Sequence, residues 1–190
     1  KAFTSTALSM LEKENKLKLD DKMTRWMPQF RLYDAASTEQ VTVRDVLCHR
    51  LGLQTFQGDF THWDSNLSRG EIIGLLAKHR PKYPFRTTWG YCNAGFLAAG
   101  ELIPTITGKS WDDFIKERLL IPLNMKRTYT HCDSIINNQN VARPHTVLES
   151  RMDSLNYPHI DNLGPAGSMS SSISDMARWV TMLLDSGRLD

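Results

Sequence analysis

Residues 94–106, Ala-Gly-Phe-Leu-Ala-Ala-Gly-Glu-Leu-Ile-Pro-Thr-Ile, are apolar on almost every side of a helical projection. A helix with one apolar stripe can lie on a surface. One that is apolar all round has to be enclosed by the rest of the chain. The segment therefore predicts a central, deeply buried helix. Pro104 should break or kink it near its end, because proline has no N–H and its ring clashes with the preceding turn. The other elements must supply apolar faces that wrap it. With 190 residues, 41% of them hydrophobic, the chain has the material to do so, and no disulfide staples are needed at this size.

Those faces can be read from spacing. Phe3, Thr6, Ala7, Met10 and Leu11 follow the i, i+3, i+4, i+7, i+8 rule of a helix with one buried stripe. The charged run 12–18 reads as its solvated end and a turn. Later segments open with a hydroxyl followed by an acid three residues on, the pattern that satisfies the free N–H groups of a first helical turn. These pairs are Thr42 and Asp45, Ser68 and Glu71, Ser110 and Asp113, and Ser172 and Asp175. The first marks 41–47 as a short helix although it begins with strand-like residues. The last starts a helix expected to bury Ile173, Met176, Ala177, Val180, Leu183 and Leu184. Gly52 and Gly187 are expected helix stops. Turn-forming clusters place loops at 81–84, 137–140 and 162–167. Strand-like runs are few and short, at 141–143 and 146–148, with no strand–helix alternation that would build a parallel sheet alone.

Charge and composition exclude several classes of function. Lys and Arg exceed Asp and Glu by only two, 23 against 21, and no long basic run is present, so no nucleic-acid footprint is indicated. No apolar run reaches the roughly 18 residues of a membrane span. Cys48, Cys92 and Cys132 are too far apart for a CxxC metal or redox pair. An odd number argues against a complete disulfide framework; one bridge is compatible with the spacing, and three buried thiols are the expectation. His131-Cys132-Asp133 is not read as a metal site, because adjacent residues rarely converge on one ion. His49 is expected to hydrogen-bond a loop.

Three local patterns carry chemistry. Residues 1–17 form a helix opening on Lys1. Residues 85–96 read Phe-Arg-Thr-Thr-Trp-Gly-Tyr-Cys-Asn-Ala-Gly-Phe, with Tyr91 and Asn93 leading into the buried helix. Residues 164–180 combine the turn Gly-Pro-Ala-Gly-Ser with Asp-Met-Ala-Arg-Trp-Val. Together and in this order they resemble the serine β-lactamase and penicillin-binding-protein-like hydrolases, in particular class C β-lactamase-related esterases and D-aminopeptidases. Residues 41–53 and 107–125, the latter ending Pro-Leu-Asn-Met, are similar to further family segments, so the likeness runs over nearly the whole chain.

The resemblance implies an α/β, β-lactamase/transpeptidase-like fold. This chain would be mainly its helical portion, a single partial domain over 1–190, with the antiparallel sheet mostly outside it. It implies acyl transfer through a serine acyl-enzyme on an amide, ester or small-peptide substrate. Lys1 would be the lysine of Ser-x-x-Lys, Tyr91 a proton relay and Asn93 a polar positioning residue. Asn93 can also be the N-cap of the helix it opens, and the two roles are compatible. No metal or organic cofactor is implied. The family is often exported, so an exported or periplasmic setting is what the resemblance suggests.

Departures from the family pattern are specific. The nucleophile would sit three residues before Lys1, and no Ser or Thr in the chain is followed by Lys three residues on. The Lys/His-(Ser/Thr)-Gly motif is absent, and His145-Thr146-Val147 approaches it only in part. Cys92 stands where a small serine is usual. Loss of a nucleophilic serine costs on the order of a millionfold in rate, so these 190 residues by themselves are expected to be inactive. The sequence is accordingly read as a middle section of a larger domain. The competing reading is a non-catalytic binding or interaction module that keeps the scaffold. An α/β-hydrolase is disfavoured because no Gly-x-Ser-x-Gly elbow occurs.

Overall fold

The computed structural model describes residues 1–59, 62–136 and 138–188. The elements in order are α1 (Ala2–Lys13), α2 (Met23–Trp26), α3 (Ala35–Gln40), α4 (Val43–Leu47) and α5 (Arg69–Leu75), the last prolonged by a 3-10 turn at Leu76–Lys78. Then come α6 (Asn93–Gly100), α7 (Leu102–Thr107) and α8 (Trp111–Ile115), which runs on into a π-helical stretch at Lys116–Leu120. They are followed by α9 (Asp133–Ile136), β1 (His145–Leu148), β2 (Arg151–Ser154), a 3-10 turn at Asp161–Leu163, α10 (Gly164–Gly167) and α11 (Ile173–Leu184). β1 and β2 pair antiparallel, with His145 opposite Ser154 and Leu148 opposite Arg151. β2 and its pairing were not anticipated. The expected strand at 141–143 does not form.

The all-round apolar segment is enclosed as expected. Residues 94–100, Leu102 and Ile103 are buried, and α6 packs against α1, α4, α5 and α10. The break lies at Glu101, earlier than the proline itself. Proline in a helix clears the carbonyl four residues before it, and for Pro104 that carbonyl is Gly100's. Gly100 is tight for a second reason. A Cβ there would lie 2.2 Å from the Pro165 side chain, so α10 can approach α6 only over a bare backbone.

Helix starts follow the hydroxyl–acid signals. Thr42 and Ser68 form complete capping boxes with Asp45 and Glu71. Ser110 and Ser172 each accept from the N–H three residues on. Helix α4 ends at Leu47, before Gly52. Gly52 instead lets 81–84 pass close by, since a Cβ there would sit 2.5 Å from the Tyr83 carbonyl oxygen. α11 ends at Leu184, and the left-handed turn beyond it begins at Ser186, φ +57°, and continues through Gly187, φ +75°, whose N–H closes the end on the Met182 carbonyl at 2.9 Å. The expected loop at 162–167 is helical, because Pro165 stands in the first turn of α10, where a proline N–H would go unused anyway. The loop at 81–84 is present, as are residues 138–140 of the next one; Asn137 lies outside the described residues.

Two buried faces differ from the spacing. In α1 the buried set is Phe3, Thr4, Ala7, Leu8 and Leu11, one position round from the expected stripe. Thr4 is drawn inward because its hydroxyl has work there: it donates to the Pro165 carbonyl at 2.7 Å and accepts from the Trp111 indole at 3.0 Å. In α11 the expected stripe faces mostly outward, with Ile173 86% and Leu184 83% exposed, and of its residues only Met176 packs against the core. The helix docks through Asp175, Trp179 and Met182 instead. Trp179 stacks on Phe3 at 3.9 Å between ring centroids. Asp175 accepts from the Arg127 N–H at 2.7 Å, the Thr128 hydroxyl at 2.9 Å and the Arg178 guanidinium at 2.7 Å.

That last cluster predicts a measurable dependence. Asp175 is buried, and Asp175→Ala leaves the Arg127 N–H without its acceptor, while the Thr128 hydroxyl falls back on the Ser171 hydroxyl 2.8 Å away. An unsatisfied buried group costs roughly 1–3 kcal/mol, so denaturant unfolding of the full-length protein should show a loss of about 1–3 kcal/mol. A loss below 0.5 kcal/mol, roughly the scale of neutral surface substitutions, would refute the role.

Candidate active site

Lys1 is the residue immediately before α1, and its side chain turns into a notch between α6 and α10. The ammonium nitrogen lies 2.6 Å from Asn93 Oδ1 and 2.7 Å from the Ala166 carbonyl oxygen. It sits 4.4 Å above the centre of the Tyr91 ring and 5.4 Å from that of Phe96. The three residues singled out by motif are therefore side by side, although more than ninety residues of chain separate Lys1 from Asn93.

Local backbone geometry puts Tyr91 there. The Gly90 N–H donates to the His49 carbonyl at 2.9 Å, the Cys92 N–H to His49 Nδ1 at 3.0 Å, and the Phe56 N–H to the Tyr91 carbonyl at 2.9 Å. Only glycine fits at position 90, since a Cβ would overlap the Leu53 carbonyl oxygen at 1.8 Å. His49 is structural, as expected. It stacks on Tyr91 at 4.9 Å between centroids while its Nδ1 accepts from the backbone. Burial, with the Lys1 charge nearby, pulls its pKa down to about 4, which keeps that nitrogen free to accept.

The cap of α6 is Cys92 and not Asn93. Its Sγ accepts from the Gly95 N–H at 3.3 Å, so this helix is capped by sulfur. Burial pushes this thiol up to about 12, which leaves it neutral and unreactive. Cys132 is also buried, whereas Cys48 is exposed, contrary to expectation, and all three are free thiols. Asn93 is released from capping and spans the site. Its Nδ2 donates to Asp59 Oδ2 at 2.6 Å while its Oδ1 accepts from Lys1.

Electrostatics at the site centre on Lys1. Burial lowers its pKa from 10.5 to about 8, with Asp59 and Cys92 opposing the shift. At pH 7 about one lysine in ten is then neutral, against about one in three thousand for an ordinary side chain. A neutral amine has two N–H groups and one lone pair. Asn93 Oδ1 and the Ala166 carbonyl can take both hydrogens, which leaves the lone pair as a base. Tyr91 is shifted upward by burial and by the Asp59 charge, so its hydroxyl stays protonated at neutral pH. Two exposed aromatics flank it. Phe56 lies 5.2 Å and Trp89 6.3 Å from its ring.

Asp59 and Ala166 escaped sequence reasoning. Asp59 stands in a turn-rich stretch with no periodic signal, and Ala166 contributes only its carbonyl. His145 lies on exposed β1 and makes no described contact with Lys1, Tyr91 or Asn93. His131 sits between Asp112 at 3.2 Å and Asp161 at 3.4 Å. Among the described residues no group of three or more His, Cys, Asp or Glu could hold a metal, and no helix is long and apolar enough to cross a membrane.

The described residues form the mainly helical portion of a β-lactamase/transpeptidase-like fold, and on it a half-buried lysine is held by an asparagine and a carbonyl over a tyrosine. The Beta-lactamase family matches residues 1–190, and the chain belongs to that family. It is 30% identical to Penicillin-binding protein 4 of Amycolatopsis lactamdurans over 98% of this chain and 49% of that protein. Among solved structures, a D-stereospecific amidohydrolase from Streptomyces sp. superposes with a TM-score of 0.84 at 23% identity, over 100% of this chain and 59% of that one. A D-amino acid amidase from Ochrobactrum anthropi SV3 superposes with a TM-score of 0.79 at 27% identity, over 99% and 54%. The chain spans about half or less of the length of the curated relatives it matches.

Proposed function

We propose that the full-length protein is a serine hydrolase working by acyl transfer on amides, esters or small peptides, with Lys1 as base, Tyr91 as proton relay and Asn93 as positioning residue. The observation that carries this reading is the double anchoring of a desolvated Lys1 by Asn93 Oδ1 and the Ala166 carbonyl. An unactivated serine hydroxyl is a weak nucleophile until a neighbouring base takes its proton. A lysine poised near pH 8 is suited to that step, and one at 10.5 is not. In the acylation step the serine oxygen bonds to the substrate carbonyl carbon as its proton passes to Lys1. The bond to the leaving group then breaks, and that group takes up a proton by way of Tyr91. Water reverses the sequence to release the acid. The amidase among the structural neighbours supports an amide or ester substrate, and the exposed Phe56 and Trp89 offer an apolar wall for a substrate side chain.

A fluorophosphonate probe tests this directly. The full-length protein should be labelled on one serine, three residues before Lys1, and Tyr91→Phe should slow labelling or its reversal by about 10²-fold. Absence of labelling in a protein with a cooperative melt would overturn the enzyme reading in favour of the binding module.

A further inference from the structure

Asp59 belongs to no motif of the chain, yet it is 6% exposed and touches the centre of the site. One carboxylate oxygen receives Asn93 Nδ2 at 2.6 Å, while the Asn93 carbonyl oxygen receives Lys1 Nζ at the same distance. The other carboxylate oxygen faces His62 Nε2 at 3.6 Å, and that histidine is 1% exposed. A side-chain amide has two ends of nearly equal shape and opposite hydrogen-bonding character, and an ionised carboxylate can only accept. Contact with Asp59 therefore selects the NH2 end of Asn93. A reversed amide would set its oxygen against carboxylate lone pairs and its N–H groups against those of Lys1, losing both bonds.

We infer that Asp59 is a positioning residue of this site, fixing the orientation of the Asn93 amide and through it the place of Lys1. The inference rests on the acyl-transfer reading for its consequence, though not for its geometry. Asp59 has a second, electrostatic effect through its charge. Burial lowers Lys1 while Asp59 and Cys92 pull it back up. Burial raises Asp59 itself, opposed by the Asn93 hydrogen bonds and by the charges of His62 and Lys1. Around Lys1 the other aromatic or titratable neighbours include Tyr91, Phe96 and His49, and behind His62 lies His79.

The test uses the full-length protein and two variants. Asp59→Asn keeps the shape and one acceptor oxygen but removes the charge. Asp59→Ala removes the acceptor as well. The Lys1 titration is read from its side-chain 13Cε shift in lysine-labelled protein, assigned with Lys1→Arg, and acylation is read with the fluorophosphonate probe across pH. Asp59→Asn should move the Lys1 midpoint down by about one pH unit, because an opposite charge has been withdrawn. The lower limb of the acylation profile should move with it. Asp59→Ala should slow acylation above that midpoint by about 10- to 100-fold, the size expected when a supporting partner of a site residue is lost, and Asp59→Glu should recover part of the rate. An unchanged Lys1 midpoint in a normally melting Asp59→Asn protein, or wild-type acylation in Asp59→Ala, would overturn the inference. If wild type is not acylated, the hydrolase reading fails by itself, and the Lys1 titration still decides whether Asp59 acts on Lys1.

Discussion

Lys1→Met in the full-length protein is expected to lower the rate of serine acylation by about 10³-fold, within the 10²–10⁴ range of a positioned base. Lys1→Arg should do nearly the same. An arginine keeps the positive charge but holds its proton through the whole usable pH range, so the pair separates a base from a mere counter-charge. The wild-type rate should rise about tenfold per pH unit below pH 8 and level above it, following the neutral form of Lys1. Stability carries the same signature. Lys1 releases its proton near pH 8 when folded and near 10.5 when unfolded. Between those values the unfolded chain binds more protons, so stability should rise with pH across that window. Lys1→Met should flatten the rise. Acylation of Lys1→Arg at the wild-type rate would show that Lys1 is not the base.

The largest effect on stability is expected at Trp111, which is 1% exposed. Its indole N–H donates to Thr4 at 3.0 Å, and Thr4 in turn donates to the Pro165 carbonyl at 2.7 Å. The ring packs where Gly100 and Gly164 have no side chains, and the Arg69 guanidinium stands 5.8 Å from its centre. Trp111 is thus the wedge joining α1, α6 and α10, the elements that converge on Lys1. Trp111→Ala should cost about 3–5 kcal/mol through lost burial and an uncollapsed cavity. At about 2–4 °C per kcal/mol for 150–250 residues, and less for a larger unit, that is a fall in Tm of up to roughly 20 °C. Trp111→Phe keeps most of the packing and forfeits the N–H, so it should cost about 1–2 kcal/mol. Because α10 carries the Ala166 carbonyl, the alanine variant should also weaken the grip on Lys1 and slow labelling at temperatures where it is still folded. A melt within 2 °C of wild type would show that the wedge is not needed.

Several features of this architecture are written in short stretches of chain. The central helix is recognisable because no side of 94–100 is polar, and enclosure is the only stable outcome. Helix starts at Thr42, Ser68, Ser110 and Ser172 are recognisable because an orphan N–H and the oxygen that satisfies it lie within four residues of each other. Lys1, Tyr91 and Asn93 could be named because family motifs are local strings.

Other features depend on partners distant in sequence. Spacing alone put the buried face of α11 on the Ile173 and Leu184 side, but the helix docks through Trp179 and Asp175 because Phe3, the Arg127 N–H and the Thr128 hydroxyl stand opposite them. Thr4 turns inward only because Trp111 and Pro165 await its hydroxyl. The displacement of the Pro104 break to Glu101 follows from a carbonyl one turn away.

The sequence by itself determined a helical scaffold around one buried apolar helix and named three residues of the candidate site. The tertiary structure alone decided that Asn93 joins Lys1 to Asp59, that a backbone carbonyl of α10 takes the second lysine hydrogen, and that Cys92 frees Asn93 from capping. The physical reason is that a lysine's proton affinity is set by the burial, carbonyls and charges around it, and here those come from residues scattered between positions 59 and 166.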